Sequence, residues 1–315
     1  MKKFIENNSS YFLILSVILG ILFPFLKFFT NYITYLLMFI LFITFLKVDF
    51  NSIKIYLKKP ILIIYIIFIN SFLTPILIYL IYKSFNFDYI TLSAIMLLAL
   101  VPTGVAASAM TDLSNGNTLL AVLLTIITHF LAPFLIPLFF FLFFRRVVKL
   151  DYLQVFITIL KLIFVPLLIA IPFKKFFKKT TNFFSNNSKI ITLILVMLLT
   201  SSIVSLNSIY IRENPLEVIK YILILYSVFL LFQIFNFFFP FFLDLPDRIA
   251  ISNSKTFNNI SIATVLSLQF LDPKTSLIVA LGQIPWPTML IPLNIILSFM
   301  KKNKKNFKKK NENNM

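Results

Sequence analysis

Residues 101–108 read Val101-Pro102-Thr103-Gly104-Val105-Ala106-Ala107-Ser108, and they interrupt an apolar run that extends from Tyr89 to Met110. Proline has no N–H to donate and glycine weakens a helix, so helical hydrogen bonding must fail at this point. Broken backbone at membrane depth is tolerated only where it is buried in protein or lines a cavity. The run therefore predicts a membrane helix that is interrupted at a binding site.

The composition places the chain among membrane proteins. Of its 315 residues, 59% are hydrophobic, 40 are Phe and only 13% are charged, which leaves too little polar surface to cover a soluble globule. The chain contains no Cys, which excludes disulfide bonds, thiolate metal sites and thiol catalysis. We therefore expect an all-α polytopic membrane protein without a resident metal or organic cofactor.

Hydropathy predicts ten membrane-spanning helices, each long enough to cross about 30 Å of hydrocarbon at about 1.5 Å per residue. The second of these spans is short, and every later loop would change sides if it re-entered the membrane instead of crossing it. The expected limits are 10–29, 31–48, 60–82, 89–111, 117–144, 151–173, 188–207, 215–243, 247–271 and 274–300.

The distribution of positive charge predicts the orientation. With the amino terminus in the cytoplasm, 19 of the 29 Lys and Arg lie in cytoplasmic segments, 7 in outside segments and 3 within spans. Cytoplasmic loops carry an excess of these residues, so we expect both termini inside, as an N-terminal segment 1–9 and a disordered basic tail 301–315. The net charge of +18 is concentrated in short loops and this tail, which favours contact with anionic lipid over nucleic acid.

The ten spans divide into two halves of five, residues 10–144 and 151–300, joined by a loop at 145–150. Because five is odd, the second half would be inverted relative to the first. Leu135-Ile136-Pro137-Leu138 in span five recurs as Leu290-Ile291-Pro292-Leu293 in span ten, 155 residues later. The break at Thr103 in span four has a counterpart at Lys255 in span nine, 152 residues later. Inverted repeats whose broken helices meet at the midplane are typical of secondary transporters.

Span nine is interrupted by polarity. Its middle reads Ser252-Asn253-Ser254-Lys255-Thr256-Phe257-Asn258-Asn259, in which seven of the eight residues are polar. An ammonium near the bilayer centre costs roughly 2.5–3.5 kcal/mol on insertion scales, and lipid supplies no partner for it. We expect the breaks of spans four and nine to cross and to face each other, with unwound carbonyls and helix N-termini forming the site.

Motifs in four spans resemble those of the bile acid:sodium symporter family. The segment 102–111, followed by Ser114-Asn115-Gly116-Asn117, is similar to the family's Pro-Gly-Gly-Thr-Ala-Ser-Asn-x-Met-Thr and its Gly-Asn turn. The segment 131–137 is similar to Leu-Ala-Pro-x-x-x-Pro in span five. Asn70 stands at the Gln of a Gln-x-x-x-x-Pro in span three, and the segment 258–263 resembles Gln-Asn-x-x-Leu-Ala in span nine.

The resemblance implies a core domain of crossed helices beside a panel domain, which move against each other to carry an organic anion by alternating access. Five polar residues are expected to converge on one pocket beside the crossing: Asn70, Ser108, Thr125, Asn258 and Asn259. The complete set of candidate substrate- or ion-binding residues is Asn70, Thr103, Gly104, Ser108, Thr125, His129, Ser254, Lys255, Asn258 and Asn259. His129, the only His, is either a structural hydrogen-bonding residue or a proton carrier.

The sodium ligands that the resemblance implies are largely replaced. The Glu four residues before the Gln of span nine is Ser254, with Lys255 beside it, and the Ser-Asn pair of span four is Ala107-Ser108. A span-five Ser position is Ala121, while Thr125 remains. The sequence thus leaves the coupling ion open between sodium, a proton and none. Either the Lys255 ammonium replaces the ion, or Lys255 lies nearer the cytoplasm and snorkels to water.

Other functions are less compatible with the sequence. An intramembrane hydrolase needs a nucleophile with a base or paired carboxylates at depth, and all eleven acidic residues lie at span ends, in loops or in the termini. An ion channel needs a repeated filter or a charged ring, and the sequence has neither. The alternatives to a symporter are a sodium-independent uniporter or proton-coupled exporter of an organic anion, and a membrane sensor without transport. The expected partners are a small organic anion and lipid, in a bacterial cytoplasmic membrane.

Overall fold

The computed structural model describes residues 9–47 and 60–300. Most of the expected N-terminal segment, the basic residues Lys54, Lys58 and Lys59, and the expected tail 301–315 lie outside the described residues. Within those ranges the regular secondary structure is helical, apart from one isolated bridge between two loops. Seven of the described helices are long and apolar enough to cross a membrane. The expected all-α polytopic class is therefore confirmed.

The described part of the first half contains seven α-helices. A 3₁₀ segment, Pro24–Tyr32, joins α1 to α2, and a π turn, Ile69–Leu73, joins α3 to α4 in one continuous helix, Pro60–Ser84. The bounds are α1 Ser9–Leu22, α2 Ile33–Lys47, α3 Pro60–Phe68, α4 Thr74–Ser84, α5 Tyr89–Leu100, α6 Ala106–Leu113 and α7 Thr118–Phe144.

The described part of the second half contains eight α-helices, of which one is a short connector, and a 3₁₀ turn at Trp286–Thr288. Their bounds are α8 Tyr152–Phe176, α9 Lys178–Leu206, α10 Ser208–Glu213, α11 Pro215–Phe238, α12 Leu245–Thr256, α13 Ile260–Phe270, α14 Pro273–Leu281 and α15 290–300.

Side-chain caps fix the starts of two helices near the first break. Asp88 accepts a hydrogen bond from the N–H of Thr91 at 2.8 Å, and Asn117 accepts one from the N–H of Leu120 at 3.1 Å. Such caps satisfy N–H groups that a helix start leaves without partners. They place the starts of α5 and α7 at 89 and 118, within one residue of the predicted limits.

The helices pack as two groups. α9 lies against α1, α2 and the 3₁₀ segment, and α2 lies against α8; we call α1, α2, α8 and α9 the panel helices. α12 lies against α6, α7 and α11, and α14 lies against α5 and α13; we call α3–α7 and α11–α15 the core helices. The groups meet where α7 contacts α8, α9 contacts α14 and α2 contacts α13. One large apolar cluster extends through both groups.

Both expected interruptions are present in the core helices. Residues 101–105 separate α5 from α6, and residues 257–259 separate α12 from α13. Thr103 and Asn258 pair across these two breaks as an antiparallel bridge. The two broken helices therefore lie side by side at their breaks.

Several predicted spans differ from the structure in their limits or their continuity, and α11 also ends at Phe238 and not at 243. α9 begins at Lys178 and not at 188, because a polar run is helical here although hydropathy does not recognise it. The α-helix of the first span ends at Leu22 and not at 29, because Pro24 has no N–H to continue it. The tenth span is interrupted between Leu281 and residue 290, where the chain contains one Gly and two Pro.

Candidate functional site

The backbones of the two breaks are hydrogen-bonded to each other. The N–H of Gly104 donates to the C=O of Phe257 at 2.8 Å, and the N–H of Asn259 donates to the C=O of Pro102 at 2.8 Å. A Cβ added to Gly104 would lie 2.7 Å from the oxygen of Phe257 and 2.8 Å from that of Asn258. Such distances are sterically forbidden, so the close approach of the two breaks requires glycine at this position.

Pro102 and the break leave two carbonyls at the end of α5 without helical donors. The C=O of Leu98 would accept from residue 102, which is Pro and has no N–H. The C=O of Ala99 would accept from the N–H of Thr103, which instead donates to Thr128 Oγ1 on α7 at 3.0 Å. Because a buried carbonyl without a donor costs free energy, both need donors from outside α5.

A third carbonyl is left without a helical donor in the π turn between α3 and α4. The N–H of Thr74 donates to the C=O of Ile69, five residues back, and so bypasses Asn70. The next residue is Pro75, which has no N–H. The π turn and the proline together leave the C=O of Asn70 free to accept a hydrogen bond from another helix.

Two side chains of span nine supply the donors for these three carbonyls. Lys255 Nζ donates to the C=O of Asn70 at 2.7 Å and also to the C=O of Ala99. Asn258 Nδ2 donates to the C=O of Leu98 at 2.6 Å. The polar residues of the second break thus satisfy the carbonyls that the first break and the π turn leave free.

Lys255 is buried at the crossing. Its side chain is 3% exposed, and its ammonium lies 5.6 Å from the centroid of the Phe232 ring. It also lies at the C-terminal end of α5, where the helix dipole is negative. In residues 9–47 and 60–300 the only ion pair joins Lys274 to Glu217, so no described carboxylate neutralises Lys255. Lys255 does not snorkel to water, and its ligands are carbonyls and a ring, which also suit a free monovalent cation.

Several buried polar atoms near the crossing have no hydrogen-bond partner within the described part of the chain. They lie on the last turn of α12, at the two breaks and on α11. An unpaired buried polar atom costs about 1–3 kcal/mol, so these atoms favour a ligand that hydrogen-bonds to them. They are Thr103 Oγ1, Gln233 Oε1, Asn253 Oδ1 and Nδ2, Ser254 Oγ, Thr256 Oγ1 and Asn258 Oδ1.

The structure brings together only some of the residues predicted from the sequence. Hydrogen bonds join the Asn70 backbone, Lys255 and Asn258 at the crossing. Ser108 and Thr125 donate to carbonyls of their own helical segments, at 3.1 Å and 2.9 Å. The side chain of Asn259 accepts from an N–H of α13 at 3.3 Å and caps that helix. These last three side chains stabilise individual helices, and no hydrogen bond joins them to the crossing.

His129 lies on α7 away from these hydrogen bonds. Its Nδ1 contacts the C=O of Thr125 at 2.7 Å, and its ring meets the edge of Phe45 with centroids 5.9 Å apart. Phe45 belongs to α2, so the His129 ring packs between the core and the panel helices. Its Nε2 is buried without a hydrogen-bond partner in the described part of the chain, so only one ring nitrogen is used at the boundary between the two groups.

Trp286 and Thr128 contact the crossing and were not predicted. Trp286 Nε1 donates to the C=O of Asn258 at 3.2 Å, and its ring packs edge-on against Phe257 with centroids 5.3 Å apart. Trp286 is the only Trp in the chain, which is the one signal that could have drawn attention to it. For Thr128 the sequence carries no signal, because its role depends on which N–H the break leaves near α7.

The Gly-Asn turn before α7 attaches that helix to the start of α12. The N–H of Asn117 donates to the C=O of Pro246 at 2.9 Å, and Asn117 Nδ2 donates to Asp247 Oδ1 at 2.7 Å. A Cβ on Gly116 would lie 2.6 Å from a methyl group of Ile249. The turn therefore fixes the position of the interrupted span nine relative to span five.

Known proteins resemble this chain over most of its length. A model of the sodium bile acid symporter family matches residues 34–214. A protein of Bacillus subtilis (strain 168), described as the uncharacterized sodium-dependent transporter YocS, is 26% identical over 218 residues. That alignment covers 69% of this chain and 67% of the Bacillus protein. The matched region of the family model contains the first break, the π turn and the whole of α7.

Proposed function

Because the chain belongs to the sodium bile acid symporter family, we propose that it carries a small organic anion across a membrane by alternating access. Membership of a transporter family, together with seven long apolar helices, supports a multi-pass membrane protein that acts as a transporter and not as an enzyme. The observation that carries the proposal is the pair of broken helices whose backbones and polar side chains meet inside the core helices.

The proposed architecture has ten crossings, with both termini in the cytoplasm of a bacterial cell. Seven long apolar helices and three shorter ones, Tyr11–Leu22, Tyr89–Leu100 and Ile260–Phe270, support this number. The halves would be 10–144 and 151–300, related by inversion, with the crossing at their centre. The panel and core helices would then slide along the boundary where they meet and expose the crossing to each side in turn.

The proposed substrate is an anion because of the charges at the crossing. α6 and α13 both begin there, so the positive ends of two helix dipoles lie at the crossing. An acidic residue at the crossing would repel an anion, and none lies on the described break segments 101–105 and 257–259. The unpaired amide of Asn253 adds donors and acceptors on α12. The apolar residues around the crossing would accept the hydrocarbon part of such a substrate.

We further propose that the ammonium of Lys255 takes the place of the coupling ion, so that transport does not require sodium. It occupies the carbonyls of Asn70 and Ala99, to which a free cation would otherwise bind. A second positive charge about 4 Å away would be repelled by roughly 4 kcal/mol at an effective dielectric constant of about 20. That repulsion corresponds to about a thousandfold loss of sodium affinity.

Sodium coupling is the second candidate, and one observation favours it. The similar Bacillus protein is described as a sodium-dependent transporter. Unpaired side-chain oxygens of Thr103, Ser254 and Asn258 could act as sodium ligands if they lie far enough from the ammonium of Lys255. The two candidates differ in a single measurable property, the effect of a sodium gradient on uptake.

The test is uptake into vesicles that contain the purified protein. A panel of carboxylates, sulfated anions and amphipathic organic anions is supplied with a sodium gradient, a proton gradient or neither. The expected result is uptake of at least one anion at a rate that sodium does not change. Lys255→Met keeps the aliphatic stem and removes the ammonium, so uptake should fall at least about tenfold. Lys220→Met, at an exposed site on α11, is the matched control and should transport normally.

Two results would contradict parts of the proposal. A saturable stimulation of wild-type uptake by sodium, with lithium and potassium inert, would establish sodium coupling and remove the assigned role of Lys255. Binding of an anion without uptake under any gradient would indicate a membrane sensor that retains the fold of a transporter.

A further inference from the structure

A polar cluster distant from the crossing is centred on Glu217. The carboxylate lies in the first turn of α11 and accepts hydrogen bonds from Lys274 Nζ at 2.8 Å and from the hydroxyls of Tyr210 and Tyr221. The ammonium of Lys274 lies 5.0 Å and 5.7 Å from the centroids of the two tyrosine rings. This is the only ion pair in the described ranges of the chain, and it is reinforced by three donors on one carboxylate.

The cluster connects the panel helices to the core helices through α10. This short helix follows α9, the last panel helix, and precedes α11. Arg212 of α10 donates to the C=O of Ile21 in α1 at 2.5 Å, which attaches α10 to the panel. The hydrogen bond from Tyr210 to Glu217 attaches the same helix to the core. Tyr221, in contrast, lies on α11 one turn after Glu217, so its hydrogen bond stays within one helix.

A second hydrogen bond joins the two groups at the same end of the molecule. Gln269 Nε2, at the end of α13, donates to Thr34 Oγ1, at the start of α2, at 2.7 Å. Gln269 is five residues before Lys274, across the turn from α13 to α14. We call the end of the molecule that carries Glu217, Lys274 and this hydrogen bond the Glu217 end.

We propose that Glu217 is a latch that holds the Glu217 end closed, and that its bond to Tyr210 must break each time this end opens. The inference rests on the proposed alternating access, because only relative movement of panel and core would separate Tyr210 from Glu217. The hydrogen bond between Tyr210 and Glu217 would form only while this end is closed, so its free energy favours the closed state over the open one. The contacts of Glu217 with Lys274 and Tyr221 lie within the core helices, so they hold the carboxylate in place in both states.

The experiment uses a single cysteine as a reporter of opening, since the chain has none. Ser276 is fully buried on α14, two residues after Lys274, and α14 contacts the panel helix α9. In Ser276→Cys the thiol should react slowly with a water-soluble maleimide while this end is closed. Tyr210→Phe and Tyr221→Phe are then compared in this background, since each removes one hydroxyl from Glu217 and keeps the ring.

The latch predicts different labelling rates for the two tyrosine variants. Tyr210→Phe breaks the bond between Glu217 and α10, which is attached to the panel. It should raise the labelling rate about three- to tenfold, the effect of one hydrogen bond to a partly exposed charged group. Tyr221→Phe should change the rate less than about twofold, because it leaves that bond in place. Glu217→Gln keeps the shape, removes the charge and should also raise the rate. Size-exclusion chromatography of every variant checks that it is folded.

The labelling results test the latch, and the uptake results test the proposed function. Equal labelling rates for the two Tyr→Phe variants, or an unchanged rate for both Tyr210→Phe and Glu217→Gln, would overturn the latch. The labelling needs no substrate, so the latch can hold in a protein that transports none of the tested anions. If the wild type transports an anion but Tyr210→Phe and Tyr221→Phe are labelled at equal rates, the latch is rejected and the proposed function stands.

Discussion

Lys255 and Asn258 act as replacements for missing backbone N–H groups. A helix normally satisfies its own carbonyls, but Pro102 and the π turn remove the donors for Leu98 and Asn70. The side chains that fill these positions come from another helix, so the hydrogen bonds hold two elements together as well as satisfying the carbonyls. A polar side chain in this role cannot be exchanged for an apolar one without leaving a buried carbonyl unpaired.

Asn258→Ala should impair transport more than a change at the neighbouring asparagine. The variant loses the donor to the C=O of Leu98, which leaves a buried carbonyl unpaired at a cost of about 1–3 kcal/mol. We expect initial uptake to fall at least about tenfold, measured in vesicles with equal amounts of protein. Asn259→Ser is the control, because serine still provides an oxygen to cap α13 and should retain most activity. Wild-type uptake by Asn258→Ala would place the site elsewhere.

At the scale of elements, the first break is supported by α7 as well as by span nine. Thr128 on α7 accepts the N–H of Thr103, the first N–H that follows the proline of the break. Thr128 also donates to the C=O of Leu124 at 2.7 Å, so its hydroxyl both donates and accepts. The break is therefore a defined conformation with its own hydrogen bonds, held between α7 and the second break.

Thr128→Val should destabilise the protein more than the same change one turn earlier. Valine has the shape of threonine but cannot accept a hydrogen bond, so the N–H of Thr103 would be buried without a partner, at about 1–3 kcal/mol. Thr125→Val is the matched control, because the Thr125 hydroxyl bonds only to a carbonyl of its own helix. The melting temperature in detergent should fall by about 2–4 °C for each kcal/mol in the first variant. Equal melting temperatures would show that the Thr103–Thr128 bond contributes nothing.

Sequence patterns located the interrupted elements but could not identify their partners. The breaks at Thr103 and near Lys255 followed from Pro, Gly and buried polarity, which have local effects on a helix. Pro102 also points to the C=O of Leu98, four residues back. A proline leaves the carbonyl four residues before it without a donor, so Pro75 indicates residue 71. The π turn shifts the free carbonyl by one residue, to Asn70. Which side chain reaches each carbonyl depends on packing between helices, and local patterns do not encode it.

At the scale of the whole molecule, the sequence predicts 19 Lys and Arg on the cytoplasmic side and 7 outside. Lys174 and Lys175 end α8 and Lys178 begins α9, whereas the Glu217 end combines Lys274 with a carboxylate. An excess of Lys and Arg marks the cytoplasmic side of a membrane protein. The Glu217 end is accordingly expected to face outward, with the two termini on the opposite side.

Single cysteines introduced into this cysteine-free chain test the orientation. Lys149→Cys lies in the exposed turn before α8 and Lys175→Cys at the exposed end of that helix. In intact cells an impermeant maleimide should label the first variant and not the second, and permeabilised cells should show labelling of both. Labelling of both positions in intact cells would mean that α8 does not cross the membrane. Labelling of the second alone would reverse the orientation.

The two bonds between the breaks, Gly104 N–H to Phe257 C=O and Asn259 N–H to Pro102 C=O, involve main-chain atoms only. Side chains at the crossing can therefore change during evolution without loss of the join, provided that residue 104 stays Gly. A lineage could exchange an ammonium for a carboxylate there, provided that another donor satisfies the carbonyls of Asn70 and Ala99. The fold would then persist while the energy source of transport changes, and relatives with identical architecture need not share an ion.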